Sequence, residues 1–316
     1  LSWLPDDSRA LGARVALEVQ VEDRRTTGSH DTRKLGGKTL GLDLGDRSSR
    51  FCMLGADGKV LKEGQVGTTR TALRRKFAGD DPMRVVIETG THSPWVADLF
   101  KELGHEVIIA DARRLQLIAR NRRKSDRRDA DLLARLGRVD TQLLHPIRPR
   151  TVGVRQDLTL LRSRAVLVEA RTKLVNHVRG TTKSLGYRLR SCSARSLHQQ
   201  ITGQLPASIQ ELLDPVLRTI ASLTERIREL DQRIEELCRT SYPDTVKVRQ
   251  VQGVGPLTAL CFVLTIEQAD RFDRRRQVGA YLGLVPRRDQ SGASDPELHI
   301  TKTGDRMLRT LLIQCA

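Results

Sequence analysis

The sequence predicts an α/β N-terminal domain with a mixed five-stranded sheet, then a long helical (coiled-coil) region and a mostly α C-terminal domain. Three observations lead to this prediction. Short apolar runs separated by hairpin turns alternate with helical patterns in the first half of the chain. Apolar residues then recur every three or four positions through two long segments. Gly-rich turns separate shorter helical patterns near the end.

Changes of pattern divide the chain into four segments. The first residues begin without Met and show no sustained periodicity, so we expect a poorly ordered leader from upstream translation or an incomplete reading frame. A Pro-rich break at 145–151 favours a linker. The predicted segments are the leader 1–37, the α/β domain 38–145, the helical region 146–241 and the C-terminal domain 242–316.

The chain carries a strong excess of positive charge. Its 316 residues include 55 Lys and Arg against 38 Asp and Glu, a net charge of +17, and its pI is about 10.4. This excess favours a polyanionic partner, DNA or RNA, because each cation placed on a phosphate releases condensed counterions. A basic surface without such a partner is the plainer interpretation. Aromatic residues make up only 3%, which argues against binding of single strands mainly by stacking.

The five cysteines are odd in number, scattered, and form no Cys-x-x-Cys pair. Together with seven histidines that lack ligand spacing, they predict reduced thiols in a cytosolic protein without a zinc site. No run approaches the ~20 apolar residues of a membrane span, and no segment resembles a signal peptide. We therefore expect no membrane partner.

The run 39–45 places one acid inside an apolar strand. Side chains alternate along a strand, so Gly41, Asp43 and Gly45 share one face while leucines occupy the other. A buried carboxylate needs compensation, and the bare glycines leave room for a metal ion or a phosphate. Two other interpretations stay open here. The acid also suits a cap of the turn that follows, and Gly-x-Asp-x-Gly occurs in ATPases of the sugar-kinase and actin type.

The pattern then continues to give the order β-β-β-α-β-α-β. The fourth strand again ends in an acid, Glu88, which by alternation shares a face with Val86 and Gly90. Two carboxylates are therefore expected on strands of one sheet. The elements predicted after the first strand are strands 50–54 and 60–66, helix 69–77, strand 84–90, helix 95–103 and strand 106–110.

The segment 122–136 combines acids with a dense group of cations. On a helix, Asp126, Asp129, Leu133 and Leu136 form one stripe, so the apolar face that packs on the sheet begins with two acids. Acids are common in a first helical turn, and an ordinary N-cap is the plainer interpretation. Carboxylates that bind Mg²⁺ amid phosphate-binding cations have the same composition. The cations are Arg122, Arg123, Lys124, Arg127 and Arg128.

Two long amphipathic segments, 155–185 and 209–237, follow the linker. Their apolar residues are spaced by three and four over several heptads, which is typical of a coiled-coil seam. The two segments pair either with each other or with a second subunit, and the sequence leaves both options open.

A Gly-Val-Gly turn at Gly253 and Gly255 lies between two helical patterns and resembles a helix-hairpin-helix. In that motif, backbone N–H groups at the start of the second helix bind a DNA phosphate without reading bases. Further along, three cations share one face and are expected to hold phosphate. They are Lys302, Arg306 and Arg309.

The strand order and four of the acids resemble the RuvC-like, ribonuclease-H-fold domain of the DEDD transposases of the insertion-sequence one-ten family. Asp43 stands in Gly-Leu-Asp-Leu-Gly, Glu88 in Ile-Glu-Thr-Gly, and Asp126 and Asp129 in Lys-Ser-Asp-x-x-Asp-Ala. The residues from 248 onward resemble the C-terminal transposase domain of the same family, with motifs in the same order. The resemblance runs from about residue 38 to 316.

The resemblance implies a transposase or site-specific DNA recombinase that cleaves and rejoins strands. Asp43, Glu88, Asp126 and Asp129 would be catalytic ligands of two Mg²⁺ ions, which clamp a phosphodiester for in-line displacement. Ser291 occupies the position of the family's catalytic serine and would attack the phosphate to form a covalent link. Without the resemblance, Gln-Ser-Gly at this position is more simply a turn.

The resemblance also implies partners and a location. The partners are DNA, as transposon ends and target, a structured guide RNA, and further copies of the chain in a dimer or tetramer. The location is the bacterial cytoplasm, on the nucleoid. Family members usually continue past the final run 311–316, so we expect a truncated C-terminal domain.

Two other functions stay open. A RuvC-like junction endonuclease would use water in place of Ser291, and a truncated remnant would bind nucleic acid without cutting it. An ATPase is disfavoured because the chain lacks a second phosphate loop and because that function does not account for the positive charge.

Overall fold

The computed structural model describes residues 37–112, 114, 126–201, 203–292 and 294–316, with the side chains of Asp126 and Arg127 excepted. The predicted leader therefore lies outside the described residues, apart from Gly37. The chain divides into two compact units whose boundary falls between Arg150 and Thr151. We call the described residues before this boundary the sheet unit and those after it the helical unit.

The sheet unit alternates strands and helices in the predicted order. Thr69 caps its first helix by accepting a hydrogen bond from the Ala72 amide, and Pro94 lies in the first turn of its second. A short 3₁₀ helix, Thr141–Leu144, closes it. Its elements are β1 (Thr39–Asp43), β2 (Ser48–Leu54), β3 (Val60–Gly67), α1 (Arg70–Phe77), β4 (Arg84–Glu88), α2 (Ser93–Glu102), β5 (Glu106–Ala110) and α3 (Asp126–Val139).

These strands form one mixed five-stranded sheet in the order β3-β2-β1-β4-β5. β1, β2 and β3 pair antiparallel, whereas β1, β4 and β5 pair parallel. The prediction of a mixed five-stranded sheet is therefore confirmed. β1 lies at the centre, where the antiparallel part meets the parallel part.

One face of the sheet carries a large apolar core under α1 and α2. Leu40 and Leu42 of β1 are fully buried there. Phe77 of α1 packs edge-on against Phe51 and tilted against Phe100, both with ring centroids 5.4 Å apart. The leucines of β1 therefore share one face, as the alternation predicted, and the structure shows that this face is the core.

The opposite face is covered by α3, which lies directly on the backbone of the sheet. A Cβ at Gly41 would come within 2.1 Å of the Ala130 carbonyl oxygen and 2.5 Å of the Ala134 nitrogen. A Cβ at Gly137 would come within 2.3 Å of Val86 Cγ2. Glycine is required at both positions because any side chain would push α3 off the sheet.

The helical unit is built from two long helices and a group of shorter ones. All five cysteines of the chain are described and carry free thiols, as their number and spacing predicted. No helix in the described part of either unit is long and apolar enough to cross a membrane. The helices are α4 (Val152–Ser184), α5 (Leu197–Gln200), α6 (Ala207–Thr240), α7 (Thr245–Val248), α8 (Pro256–Ile266), α9 (Arg276–Tyr281) and α10 (Arg306–Cys315), with a 3₁₀ helix at Ala269–Arg271.

The two long helices, α4 and α6, pair with each other as an antiparallel hairpin. Moving along α4, the Arg164 side chain contacts Asp231 and the Arg171 side chain contacts Thr224, which lies earlier in α6. The sequence left open whether these segments pair within the chain or between subunits, and the structure shows pairing within the chain.

The hairpin has an apolar cluster at each end. At the base, Leu161 of α4 and Ile234 of α6 join Leu260 of α8 and Leu308 of α10 in one core. At the tip, the α4 and α6 residues pack with α5 and the segment around it. Because base and C-terminal helices share a core, the boundary predicted between 241 and 242 does not separate two cores. The tip cluster contains Val175, Val178, Leu197, Ile201, Leu205, Leu213, Leu217 and Ile220.

Candidate active site

Two of the predicted acids end neighbouring parallel strands. β1 and β4 pair in register from Thr39 with Arg84 to Leu42 with Ile87. One further step along this register brings Asp43 beside Glu88, the last residues of β1 and β4. Both are half-buried. Parallel strands of an open sheet present their carboxyl ends at the same edge, which is where ligands of such sheets bind. We call this position the carboxyl edge.

The start of α3 points to the same edge. Near its end, the Gly137 carbonyl accepts a hydrogen bond from Arg84 Nη1 at 2.9 Å, at the beginning of β4. Further back, Ala130 lies on Gly41 in the middle of β1. Continuing in this direction by one helical turn, about 5.4 Å, leads from Ala130 to Asp126, where α3 begins. The first turn of α3 therefore extends toward the carboxyl edge.

The structure describes the side chains of three of the four predicted acids. Asp129 lies in the first turn of α3 and is half-buried, whereas the side chain of Asp126 lies outside the described part of the chain. Among the side chains that the structure describes, no three His, Cys, Asp or Glu groups are placed to hold a metal ion. The structure thus brings Asp43 and Glu88 together and directs α3 toward them, and the complete four-acid cluster stays a prediction.

Thr89 fixes the end of β4 next to Glu88. Its amide and its hydroxyl both donate to the Ala110 carbonyl, at 3.0 and 2.5 Å, and the hydroxyl accepts from the Ala112 amide at 3.2 Å. These bonds tie the carboxyl ends of β4 and β5 together. The Thr of the Ile-Glu-Thr-Gly motif therefore has a clear structural task, which is to hold the strand end that carries the acid.

A histidine and a tryptophan after β4 form a contact that the sequence analysis did not single out. Trp95 Nε1 donates to His92 Nδ1 at 3.1 Å, and His92 Nε2 lies 3.5 Å from Asp46 Oδ1. Because Nδ1 accepts, a neutral His92 ring carries its proton on Nε2, facing Asp46. The Arg70 guanidinium covers the Trp95 ring at 5.6 Å. The contact joins the loops that follow β1 and β4. The sequence signal that could have indicated it is the spacing His-x-x-Trp at the start of a helix.

Asp131, the acid left out of the predicted set, points to a different neighbour. It forms an ion pair with Arg135 at 2.9 Å and accepts a hydrogen bond from the Cys52 thiol at 3.7 Å. Burial and then the Asp131 carboxylate raise the pKa of Cys52 to about 11. Asp131 therefore acts as a partner for Arg135 and the Cys52 thiol on the β2 side of α3.

The cations predicted beside the acids are only partly described. Arg122, Arg123 and Lys124 lie outside the described residues, and so does the side chain of Arg127. Arg128 lies in the first turn of α3 and is exposed. The predicted phosphate contacts of this group stay a prediction.

Ser291 lies at the tip of an exposed loop of the helical unit. The loop leaves and returns through a β-bridge between Pro286 and Ile300. Ser291 and Ser294 exchange two backbone hydrogen bonds of 3.0 Å, and Gly292 has a φ of +57°, which favours glycine. The Ser291 side chain is exposed, and within the described part of the chain its hydroxyl has no hydrogen-bond partner. The turn that the motif alone suggested is present, and it leaves this hydroxyl accessible.

The Gly-Val-Gly turn connects the very short α7 to α8. Gly253 has a φ of +84°, and a Cβ there would lie 2.9 Å from the Cys315 carbonyl oxygen, so this position requires glycine. Gly255 is the N-cap residue of α8, and Pro256 follows it at the first helical position. The backbone groups at the start of α8 therefore adjoin a tight turn, while the phosphate contact predicted for Gly253 and Gly255 stays a prediction.

The three C-terminal cations occupy unlike positions. Lys302 and Arg306 are exposed. Arg309 is only 8% exposed, and its Nη1 donates to the carbonyls of Leu282 and Thr303 at 2.9 and 2.7 Å. These bonds brace the turn at Gly283 against α10. The expectation that all three share one accessible face therefore needs correction, because the Arg309 guanidinium is committed to the interior of the unit.

Comparison with known proteins gives matches along both units. A model described as the transposase IS116/IS110/IS902 family matches residues 246–316, and a DEDD transposase model of the IS110 type matches residues 40–185. A probable family 20 transposase of Pseudomonas aeruginosa is 30% identical over 285 residues, which cover 88% of this chain and 82% of that protein.

Two further relatives are similar over the same share of the chain. The transposase for insertion sequence element IS1111A of Coxiella burnetii is 27% identical over 292 residues, covering 88% of this chain and 77% of the relative. The transposase for insertion sequence element IS1328 of Yersinia enterocolitica is 25% identical over 281 residues, covering 88% and 82%.

Proposed function

This chain belongs to the IS116/IS110/IS902 family of transposases, enzymes of DNA transposition, and we propose that it cleaves and rejoins DNA with bound divalent cations and a serine nucleophile. The proposed cation ligands are Asp43, Glu88, Asp126 and Asp129, and the proposed nucleophile is Ser291. The sheet unit is proposed to be ribonuclease-H-like (RuvC-like), which its strand order β3-β2-β1-β4-β5 supports.

The observation that carries this proposal is the pairing of two strand ends at the carboxyl edge. The register of β1 and β4 brings Asp43 beside Glu88. Two carboxylates side by side repel each other unless a cation compensates their charge. Carboxylate oxygens are the ligands that Mg²⁺ prefers. Asp129 and Asp126, in the first turn of α3, would complete the set for two ions. When bound, such ions would polarise the phosphodiester and stabilise the charge that develops on it.

Ser291 suits the role of nucleophile because of its position on the loop. Its hydroxyl is exposed at a narrow tip, where the bulky backbone of a DNA strand can approach it. In the proposed step the Ser291 Oγ–P bond forms, the P–O bond to a sugar oxygen breaks, and the hydroxyl proton is transferred to the leaving oxygen. One phosphodiester replaces another, so the reverse reaction can join the phosphate to a different strand.

The positive charge of the chain supplies the proposed contacts with nucleic acid. DNA ends and target, together with a structured guide RNA, would place many phosphates on a chain of net charge +17. A homo-oligomer acting on nucleoid DNA in the cytoplasm is part of the same proposal. The proposed contacts are the side chains of Arg122, Arg123, Lys124, Arg127, Arg128, Lys302 and Arg306, and the backbone at Gly253 and Gly255, in a helix-hairpin-helix arrangement.

The test is strand cleavage and exchange on labelled donor and target DNA in Mg²⁺, with the guide RNA supplied. We expect Ser291→Ala to abolish the covalent protein–DNA adduct, with a loss of more than about a thousandfold as in other enzymes that lose their nucleophile. Asp129→Ala is expected to abolish cleavage as well. Ser294→Ala is the matched control, since its partner contact in the loop is made by backbone atoms.

Two outcomes would contradict the assignment. Strand exchange retained in both Ser291→Ala and Asp129→Ala would show that the site residues lie elsewhere. Unchanged cleavage in Ser291→Ala, with no adduct in the parent protein, would show that water is the nucleophile and that the chain acts as a RuvC-like endonuclease.

A further inference from the structure

Two arginines of the helical unit contact a single carboxylate midway along the hairpin, and a third arginine lies nearby. Arg164 Nε donates to Asp231 Oδ1 at 2.5 Å, which joins α4 to α6. Arg195, from the segment between these helices, lies 3.9 Å from the other oxygen of Asp231. Arg171 lies two turns after Arg164 on α4, and the positive charges of both other arginines repel its own charge. We call Arg164, Arg171 and Arg195 the arginine cluster.

Arg171 is buried with too few partners for its charge. Its side chain is only 7% exposed, and Nη1 makes one long contact of 3.4 Å with the Thr224 hydroxyl. Its Nε is buried and has no hydrogen-bond partner in the described part of the chain. A guanidinium has five N–H donors, and leaving a buried charged donor unsatisfied is costly. Burial, then Arg195 and Arg164, lower the pKa of Arg171.

The charges around the cluster do not balance. Among the described residues, Asp231 is the carboxylate that contacts Arg164 and Arg195. Acids nearby on the same helices are paired elsewhere, Glu225 with Arg228 and Glu169 with Lys173. Within the described residues, the cluster therefore sets three positive charges against the one carboxylate that contacts it.

We propose that the arginine cluster binds a backbone phosphate of a nucleic-acid strand that lies across the helical hairpin. A phosphodiester supplies the missing negative charge, and its two free oxygens match the paired N–H groups along one side of a guanidinium. Arg195 is 70% exposed, and its 3.9 Å contact with Asp231 is too long for a hydrogen bond. It is therefore free to turn to a phosphate without breaking a bond, while Arg171 adds uncompensated charge from beneath.

This site is independent of the proposed strand chemistry, because it lies on the hairpin and requires no cation. Binding is therefore measured in EDTA, where no cleavage occurs, with the full chain and two labelled probes. The probes are a short random-sequence DNA duplex and a folded RNA hairpin. The variants are Arg195→Ala, which removes an exposed side chain, and Arg171→Met, which removes a buried charge and keeps the length of the side chain.

We expect Arg195→Ala to weaken binding of at least one probe by about tenfold, the usual value of one lost charge-assisted hydrogen bond. Arg171→Met removes only charge from beneath the phosphate, so it should weaken binding of the same probe by a smaller factor. The slope of log affinity against log salt concentration should fall by about 0.9 for a phosphate lost from duplex contact. Arg218→Ala is the matched control, since Arg218 is an exposed α6 arginine paired with Asp214, and it should change affinity less than the cluster variants. A loss confined to the RNA hairpin identifies an RNA strand, and a loss confined to the duplex identifies DNA.

Thermal unfolding separates binding from folding. Arg171→Met should keep or raise the melting temperature, because an apolar side chain replaces an unsatisfied buried charge. Arg195→Ala keeps the test decisive if the buried variant fails to fold. Affinities of both cluster variants equal to that of Arg218→Ala for both probes would overturn the proposal. So would a change of oligomeric state without a change in binding, which would assign the cluster to an acidic side chain of a second copy.

Discussion

The sheet unit and the helical unit hold their candidate reactive groups in opposite ways. Asp43 and Glu88 end two strands that are hydrogen-bonded along their length, and the neighbouring loop is tied down by Thr89. Ser291 lies on a loop that is closed by two isolated bridges and is exposed at its tip. In the proposed reaction, carboxylates that share a cation gain from a rigid frame, whereas a hydroxyl that attacks a large polymer gains from exposure.

The largest effect is expected from a substitution of an acid at the carboxyl edge of the sheet unit. Asp43→Asn removes one negative charge from the carboxyl edge, so we expect loss of DNA cleavage by more than about a thousandfold. We also expect loss of stabilisation by Mg²⁺, which amounts to about 2.7 kcal/mol at a hundredfold excess over the dissociation constant. Melting temperature with and without Mg²⁺ measures this second effect without reference to activity.

Ser291→Ala separates loss of the reaction from loss of stabilisation by Mg²⁺. It should abolish the adduct and keep the full stabilisation by Mg²⁺, because the serine is not a proposed ligand of the ions in the free protein. Equal stabilisation of the parent and Asp43→Asn proteins by Mg²⁺ would contradict the assignment of Asp43 as a cation ligand. Asp131→Asn, on α3 and paired with Arg135, is the control for a simple change of charge.

A smaller effect is expected from a substitution at the contact between β1 and α3. Gly41→Ala places a Cβ 2.1 Å from the Ala130 carbonyl oxygen, so α3 must move off β1. We expect a loss of about 3 kcal/mol in the free energy of unfolding, as for other overpacked sites. Urea denaturation measures this loss, with Gly79→Ala as control because a Cβ at Gly79 meets nothing within 4 Å. Equal midpoints for the two variants would show that α3 does not rest on the strand backbone.

The smallest effect concerns the contact between the loops after β1 and β4. Trp95→Phe keeps an aromatic ring and removes the N–H group that donates to His92 Nδ1. We expect a loss of about 1 kcal/mol in stability, the usual net value of one hydrogen bond. Hydrogen exchange should rise in the loop that carries Asp46. Unchanged exchange there would mean that the His92 ring holds its position without Trp95.

Much of the sheet unit was predictable because its signals are local. Alternation along β1 assigned Leu40 and Asp43 to opposite faces, and the order of elements put Glu88 on another strand of the same sheet. The structure then showed that β4 is the neighbour of β1. The same reasoning cannot supply the close contact of Gly41 with Ala130, because that contact joins residues far apart in sequence. The complete acid cluster stays a prediction, since the Asp126 side chain lies outside the described part of the chain.

The helical unit was predictable in outline but not in its pairings. Spacing of three and four residues predicted both long helices, yet the same pattern suits pairing within a chain or between chains. Arg309 illustrates a related limit, because its place among other cations predicted an accessible face and packing of α10 put it inside. The arginine cluster has no sequence signal at all, since it needs α4 and α6 side by side and the segment with Arg195 folded against them.

The separate apolar clusters at the base and the tip give the hairpin a modular character. Leu161 and Ile234 belong to a core that includes α8 and α10, whereas Val178 and Ile220 belong to one built only from the hairpin and its connecting segment. Melting of the distal half thus need not spread to the proximal half. A change in the length of the distal half should therefore leave the core that holds the C-terminal helices in place.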